Sequence, residues 1–382
     1  MKFMNHIVII GCGIIGATLA YELSLIENLK ITVVDKQPPA QASTGAALGV
    51  LMGIISHKVK GKAWRMRQTS VQRYETLIPE LEAITNRRIP FNRQGILMLL
   101  PSPQVTTDDL AFWEELKQTR HNQGWELEIL NIESLEKLCP QVDVKSQKYI
   151  GAIYSPQDRQ LDPTALTLAL VEAAKHNGVN FKFGVNALGI KSLSNQENSS
   201  ARELETTDGV IAGDWFIIAA GLGSTPLTEQ LNQKVDIRPV LGQAIHLRLG
   251  HPLGNSEFQP AITCNDVCVV PTDAGIFPAT DYWVGATVEF PQDSGEVSPD
   301  KELLETTFKS AIATFPDLSS ARVIRTWSGL RPRPENRPAP VIEKLPGFDN
   351  VILASAHYRN GVLLAPTTAE MVKEMIFCIN QQ

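Results

Sequence analysis

Three glycines constrain this chain more than any other feature. In IIGCGIIGATLAYEL, residues Ile9 to Leu23, Gly11, Gly13 and Gly16 stand in the spacing G-x-G-x-x-G. The β-branched run NHIVIIG before them reads as a buried strand, and Leu19, Leu23 and Ile26 behind them recur at helical spacing. The run LKITVVDK then reads as a second buried strand ending at Asp35. Strand, glycine turn, helix and strand make a βαβ unit. In such a unit the first glycine permits the tight turn, the second lets the backbone approach a pyrophosphate, and the third lets helix and strand pack closely. The helix N-terminus offers free N–H groups and partial positive charge to phosphate. Asp35 stands near the place, roughly 20 residues on, where a carboxylate accepts from ribose hydroxyls. A dinucleotide whose adenosine ribose lacks a 2′-phosphate is therefore expected, with contacts from Gly11, Gly13, Ile14, Ile15, Gly16, Asp35 and Lys36. The motif by itself serves NAD and FAD alike.

Three later stretches favour the flavin. QASTGAALGVLMG, Gln41 to Gly53, is small, neutral and punctuated by glycine, which suits a backbone lying close against an extended cofactor. Ser43 and Thr44 are expected to donate to phosphate oxygens, and Ala47, Leu48, Gly49 and Val50 to follow along the ligand. DWFIIAAGLGS, Asp214 to Ser224, is another buried strand running into a glycine turn, with Ala220 and Gly221 at the turn. It follows strands in NFKFGVNALGIKSL, which contains Val185, and in ARELETTDGVIAGD; TDG at Thr207 to Gly209 is a turn, and Ser194 to Ser200 a polar loop. In LASAHYRNGVLLAPTTAEMV, an apolar strand leads to a polar turn at His357 to Gly361. A helix is expected from Pro366 or Thr367, capped by Thr367 or Thr368, with Glu370 in its first turn. Its loop amides would face the flavin's pyrimidine end, with contacts from His357, Asn360, Gly361, Val362 and Leu363.

Together with AALGVLMG, IIAAGLGS, WSGLRPRPENRPAP and HYRNGVLLAP, the opening loop resembles the D-amino acid oxidase superfamily of FAD-dependent oxidoreductases, most closely its glycine oxidase branch, which feeds the thiazole pathway of thiamine synthesis. The resemblance runs from end to end. It implies a mixed α/β and α+β fold: a Rossmann-like doubly wound FAD-binding domain, split in sequence over 1–88, 150–235 and 328–382, with an antiparallel-sheet substrate domain over 89–149 and 236–327. FNRQGILMLLP and VLGQAIHLRL read as strands of that sheet. DLAFWEELKQTRHNQG reads as an amphipathic helix with Leu110, Trp113 and Leu116 on one face, its aromatics in the core. The turn from His357 to Leu363 has no cysteine, so non-covalent FAD is expected.

The resemblance also implies an activity: a hydride passes from Cα of an amino acid to flavin N5, water turns the imino acid into an oxo acid and ammonium, and oxygen leaves as hydrogen peroxide. No side chain need act as acid or base if the amine arrives neutral. The arginine that would hold the substrate carboxylate falls on Arg331 in GLRP; Arg359 in HYRNG matches an active-site arginine that lines the pocket or tunes the flavin. Arg325, Arg333 and Arg337 read as surface residues. Two positions depart from the glycine oxidase pattern. Cys268, in DVCVVPT, stands where a tyrosine touches the carboxylate, and Val288, in WVGATVEF, where a methionine follows GAT. Both changes reduce bulk, so glycine, a small D-amino acid and an N-alkyl glycine all stay open as substrates, with Tyr282, Phe290 or Tyr358 as candidates to fill the space. A dehydrogenase passing electrons to quinone, and a flavin-fold binding protein without turnover, stay open as alternatives.

Composition bounds the partners. The net charge of −6 argues against a nucleic-acid surface. The apolar run from Ile7 is broken by glycines and ends at Glu22, short of a bilayer span, and its glycine spacing is better read as the dinucleotide turn than as a secretory leader. Five scattered cysteines, Cys12, Cys139, Cys264, Cys268 and Cys378, lack zinc-type spacing and suggest a reduced, cytoplasmic setting without metal. An amino acid and molecular oxygen are the expected small-molecule partners; the resemblance admits a homo-oligomer.

Overall fold

The computed structural model describes all residues except 1–4, 103, 147–148, 195–198, 273–277, 293–294 and 378–382. Cys378 and most of the expected loop at Ser194 to Ser200 therefore lie outside the described residues. The expected βαβ unit is present: strand Asn5–Ile10, helix Ile14–Ser24 and strand Leu29–Asp35, the two strands parallel and in register from Asn5↔Leu29 to Ile10↔Val34. These strands lie inside a six-stranded sheet. From one edge the order is Val341–Lys344, Val351–Ser355, Trp215–Ile218, Asn5–Ile10, Leu29–Asp35 and Asn180–Phe183. All neighbours are parallel except the first pair.

Strand alternation assigns the two faces. Ile7, Ile9, Ile31 and Val33 pack into a core built with helices Ile14–Ser24, Gly61–Thr85, Pro163–His176 and Gly361–Phe377. Val8, Ile10 and Val34 point the other way, onto Ile190, Ala201 and Leu204 of an antiparallel three-stranded sheet, Ala187–Ser194, Ser199–Thr206 and Gly209–Ala212. Both faces of the parallel sheet are thus covered, which is why its strands read as unbroken apolar runs.

A second, eight-stranded sheet runs Arg322–Pro334, Ile237–Arg248, Asp281–Gly285, Val267–Pro271, Ala261–Cys264, Ile96–Pro101, Tyr149–Ser155 and Glu128–Leu130. Its neighbours are antiparallel apart from Ala261–Cys264 against Ile96–Pro101. Its own core is formed with helices Lys301–Thr314 and Ile132–Leu138. The boundaries expected at 149/150 and 327/328 fall inside two of this sheet's strands.

Two local expectations are corrected. The last helix runs Gly361–Phe377, so it starts at Gly361 and carries Pro366 inside. Thr367 and Thr368 are not caps: their hydroxyls donate to the carbonyls of Met66 and Leu364, at 2.7 and 2.8 Å. In helix Thr107–Asn122, Trp113 and Leu116 are buried as expected, but Leu110 is 36% exposed, because it sits in the first turn beyond the edge of the core.

Candidate functional site

One cleft of about 790 Å³ runs where the two sheets meet. At one end the glycine turn forms its floor. Gly11 has φ +105°, and a Cβ there would strike the backbone of Ala219. A Cβ on Gly13 would come within 3.0 Å of Thr44 Oγ1, and one on Gly16 would collide with the carbonyl of Gly11. So the first glycine serves the turn, the second keeps the floor flat, and the third lets helix and strand close up. Gly11, Gly13, Ile14, Ile15, Asp35, Lys36, Ser43 and Thr44 all line the cleft. Asp35 is aimed by two backbone donors, Cys12 N–H at 2.6 Å and Gln37 N–H at 2.9 Å. The Thr44 hydroxyl accepts from Ile14 N–H at 3.0 Å, and the Ser43 hydroxyl donates to the Leu330 carbonyl at 2.6 Å, so both tie the small-residue segment to its neighbours.

The wall continues through Ala47, Leu48, Gly49, Val50 and Met52 on one side and Ala220 and Gly221 on the other. Behind Met52 the chain is gripped from two directions. The Asp158 carboxylate, fully buried, accepts from the N–H groups of Gly53, Ile54 and Ile55 at 2.7 to 2.8 Å. Burial pushes its pKa up, and those three donors oppose the push. Arg120, also fully buried, donates to the carbonyls of Ile54, Ser56 and Lys58 at 2.8 to 3.0 Å and lies 3.7 Å over the Trp64 ring. Burial brings its pKa down to about 10, which leaves it charged.

The far end of the cleft is made by the second sheet and by the turn after Val351–Ser355. His357, Tyr358, Arg359, Asn360, Gly361 and Val362 line it. Ala356 and Tyr358 hold φ +56° and +53°, a conformation costly for side-chain-bearing residues. His357 is buried, and burial pushes its pKa down to about 3, so the ring is neutral. Its Nε2 is 2.8 Å from the Thr368 hydroxyl. That hydroxyl already donates to Leu364, so His357 is the donor and carries its proton on Nε2.

Arg331 also lines this end. One of its nitrogens donates to the carbonyls of Leu241 and Thr287, both at 3.0 Å. Its guanidinium lies over Gly242, where a Cβ would overlap it. Burial lowers its pKa, with the nearby Arg359 charge next in weight. Among the described residues no carboxylate lies within ion-pair distance of Arg331. Arg359 does have one, Asp266 at 2.8 Å. Arg333 and Arg337 pair with Glu335 and Glu343, and Arg325 lies over Trp327, in keeping with surface roles.

Cys268 lines the cleft, and burial raises its thiol pKa. Val288 does not line it; Ala286, Ala244 and Gly242 do. Of the aromatics proposed to fill the space, only Tyr358 reaches the cleft. The Tyr282 hydroxyl is spent in the core on Ala279, Leu253 and Gln259, and Phe290 is 56% exposed under Arg333. Gly16, Val185 and Leu363 stand behind the lining. Val185 meets the site through its N–H, which donates to the Asp35 carbonyl at 3.1 Å, and Leu363 is core. Sequence reasoning missed Gly242, Asp266 and Gly329, whose missing side chain admits Ala46. It also missed Trp327, whose indole N–H donates to the Ala46 carbonyl at 3.1 Å.

Residues 6–375 match the family described as DAO, FAD dependent oxidoreductase. The chain is 28% identical to the bifunctional protein ThiO/ThiG of Synechocystis sp. over 98% of its own length and 52% of that protein's, so it spans about half of that relative. It is 27% identical to the glycine oxidase of Bacillus licheniformis, over 98% of this chain and 94% of the other. The crystal structure of glycine oxidase from Geobacillus kaustophilus superposes with a TM-score of 0.84 at 22% identity, over 99% of this chain and 96% of that one.

Proposed function

The chain belongs to the family of FAD-dependent oxidoreductases, and on that premise we propose that it oxidises a small amino acid — glycine, a small D-amino acid or an N-alkyl glycine — with molecular oxygen as the final acceptor. The cleft suits FAD: the collisions at Gly11 and Gly16 hold the turn and the helix–strand packing to glycine, Gly13 keeps the floor flat beside Thr44, and Asp35 is held by backbone donors where a ribose would lie. When bound, FAD supplies the two-electron acceptor for a hydride from the substrate's Cα.

The observation that carries the reading is Arg331. Its guanidinium is pinned by two carbonyls, has no carboxylate partner within ion-pair distance among the described residues, and stands in the wall beside Gly242, Ala244, Cys268 and Ala286, with the paired Arg359 and Asp266 at the same end. A pinned guanidinium with no carboxylate partner of its own is a seat for one carboxylate. Held there, a substrate has its Cα fixed relative to the cleft, and orientation then supplies much of the rate. The small wall residues leave room for a side chain or an N-alkyl group. The neutral His357 and the absence of any carboxylate pair in the described lining suit a reaction in which the amine arrives unprotonated and no side chain takes its proton. The substrate leaves as an imino acid, which water converts to an oxo acid and ammonium, or alkylammonium from an N-alkyl glycine, while dioxygen leaves as hydrogen peroxide. Relatives named glycine oxidase support this reading.

The test is a panel of glycine, sarcosine and small D-amino acids mixed anaerobically with the yellow holoenzyme, then assayed for peroxide in air. Bleaching by a member of the panel and peroxide release are expected; Arg331→Ala should keep its flavin and lose bleaching. Full bleaching rates and unchanged apparent affinity in that variant would remove Arg331 from the site.

A further inference from the structure

Beside Arg331 the cleft holds a second guanidinium that is not free. Arg359, on the turn after Val351–Ser355, is paired at 2.8 Å with Asp266, which belongs to the two-residue turn between strands Ala261–Cys264 and Val267–Pro271. Both residues line the cleft, and so does Cys268 on the same hairpin. The three charges sense one another: Arg331 is acted on by both Arg359 and Asp266. Glu289 adds negative charge from behind the wall, where Gln243, Thr287 and the Asp300 N–H hold it, but it does not line the cleft. In the described lining this end of the cleft therefore carries two cations and one carboxylate, a net charge that matches one anionic group.

We propose that Asp266 is a specificity-determining residue: by occupying Arg359 it restricts the site to amino acids with a single carboxylate and excludes dicarboxylic ones. The inference rests on the proposed seat at Arg331. With the first carboxylate of a ligand there, the one other cation in the described lining at this end of the cleft is Arg359. To reach it a second acidic group must displace Asp266 and then lie against a displaced carboxylate. A ligand with one carboxylate meets no such conflict. Discrimination of this kind comes from a repulsive element placed against the wrong ligand rather than from added attraction to the right one. The pair is exposed, at 45% for Arg359 and 66% for Asp266, so it contests the second anion without locking the cleft shut.

The test uses the holoenzyme and two probes that need no turnover. Propionate and succinate differ by one carboxylate, and each is titrated while the flavin absorbance is followed. The wild-type protein should bind propionate and bind succinate more weakly. In Asp266→Asn the ratio of succinate to propionate dissociation constants should fall by about tenfold or more, with the melting temperature and flavin content unchanged. In the double variant Asp266→Asn, Arg359→Ala, succinate should lose that gain. A ratio that stays the same in Asp266→Asn, while propionate still binds, overturns the role of Asp266 and leaves the carboxylate seat standing. A gain for succinate that survives removal of Arg359 overturns the proposed landing site. Failure of propionate to bind the wild-type holoenzyme overturns the seat itself, and the inference with it.

Discussion

The Tyr74 hydroxyl donates to the Val362 carbonyl at 2.5 Å, and that bond stands in for one that proline removes. Within helix Gly361–Phe377 the carbonyl of Val362 would be met by the N–H of residue 366, four positions on, and Pro366 has none. Tyr74 comes from helix Gly61–Thr85, far away in sequence, and is fully buried. The helix can therefore begin at Gly361 and bring its first turn to the cleft.

It follows that Tyr74→Phe should leave a part-buried carbonyl unsatisfied and destabilise the protein by about 1 kcal/mol. Because Val362 lines the cleft, the loss should appear as weaker flavin retention as well as a lower melting temperature. Equal flavin affinity in wild type and variant, measured by titrating apoprotein with FAD, would show that the first turn does not depend on this bond.

His357 gives a pH dependence whose sign is fixed by its environment. Its pKa falls from 6.5 to about 3 through burial. The unfolded chain takes up a proton at this position below about pH 6.5, whereas the folded chain resists doing so until about pH 3. The stability from keeping this ring neutral is thus fully present above pH 6.5 and is lost as pH falls toward 3, at up to about 1.4 kcal/mol per pH unit. Carboxylates titrate in the same range, so the measurement is a difference. His357→Gln keeps a donor for the Thr368 hydroxyl and removes the titration, and its acid limb should be shallower than that of the wild type. Parallel denaturation curves for the two proteins between pH 7 and 4 would contradict the assignment.

The sequence made the glycine turn, both flanking strands and Asp35 legible because each depends on neighbours within about thirty residues, where periodicity and turn chemistry act. Pro366 was misread for the opposite reason: local rules make proline a helix start, and the residue that overrules them, Tyr74, lies 288 positions before Val362, whose carbonyl it meets. Arg120 and Asp158 carry no local signal that sets them apart from surface charges, yet both are buried, gripping one loop from two directions. Asp266 gave no signal, since its partner, Arg359, belongs to a different part of the chain. Arg331 could be reached only through resemblance, because nothing in its own surroundings distinguishes it from Arg333 and Arg337.

Gly242 lies against the Arg331 guanidinium. In the sequence it is one glycine inside a strand, which normally weakens a sheet. In the structure it is the floor on which the Arg331 guanidinium lies, and a methyl group there would overlap the guanidinium itself. The atoms in the way are the far end of the Arg331 side chain, so the guanidinium is what gives way, from its bonds to the Leu241 and Thr287 carbonyls. Gly242→Ala should therefore turn the guanidinium out of its seat while leaving the glycine turn at the other end of the cleft intact. The expected result is full flavin content, with KM for the amino acid substrate raised about tenfold or more, a loss of roughly 1.4 kcal/mol of binding. Measured alongside Arg331→Ala it should show little further loss in the double variant, because both changes remove the same contact. Additive losses in that cycle would mean that Gly242 and Arg331 act on the substrate separately, and that the seat is not built as described.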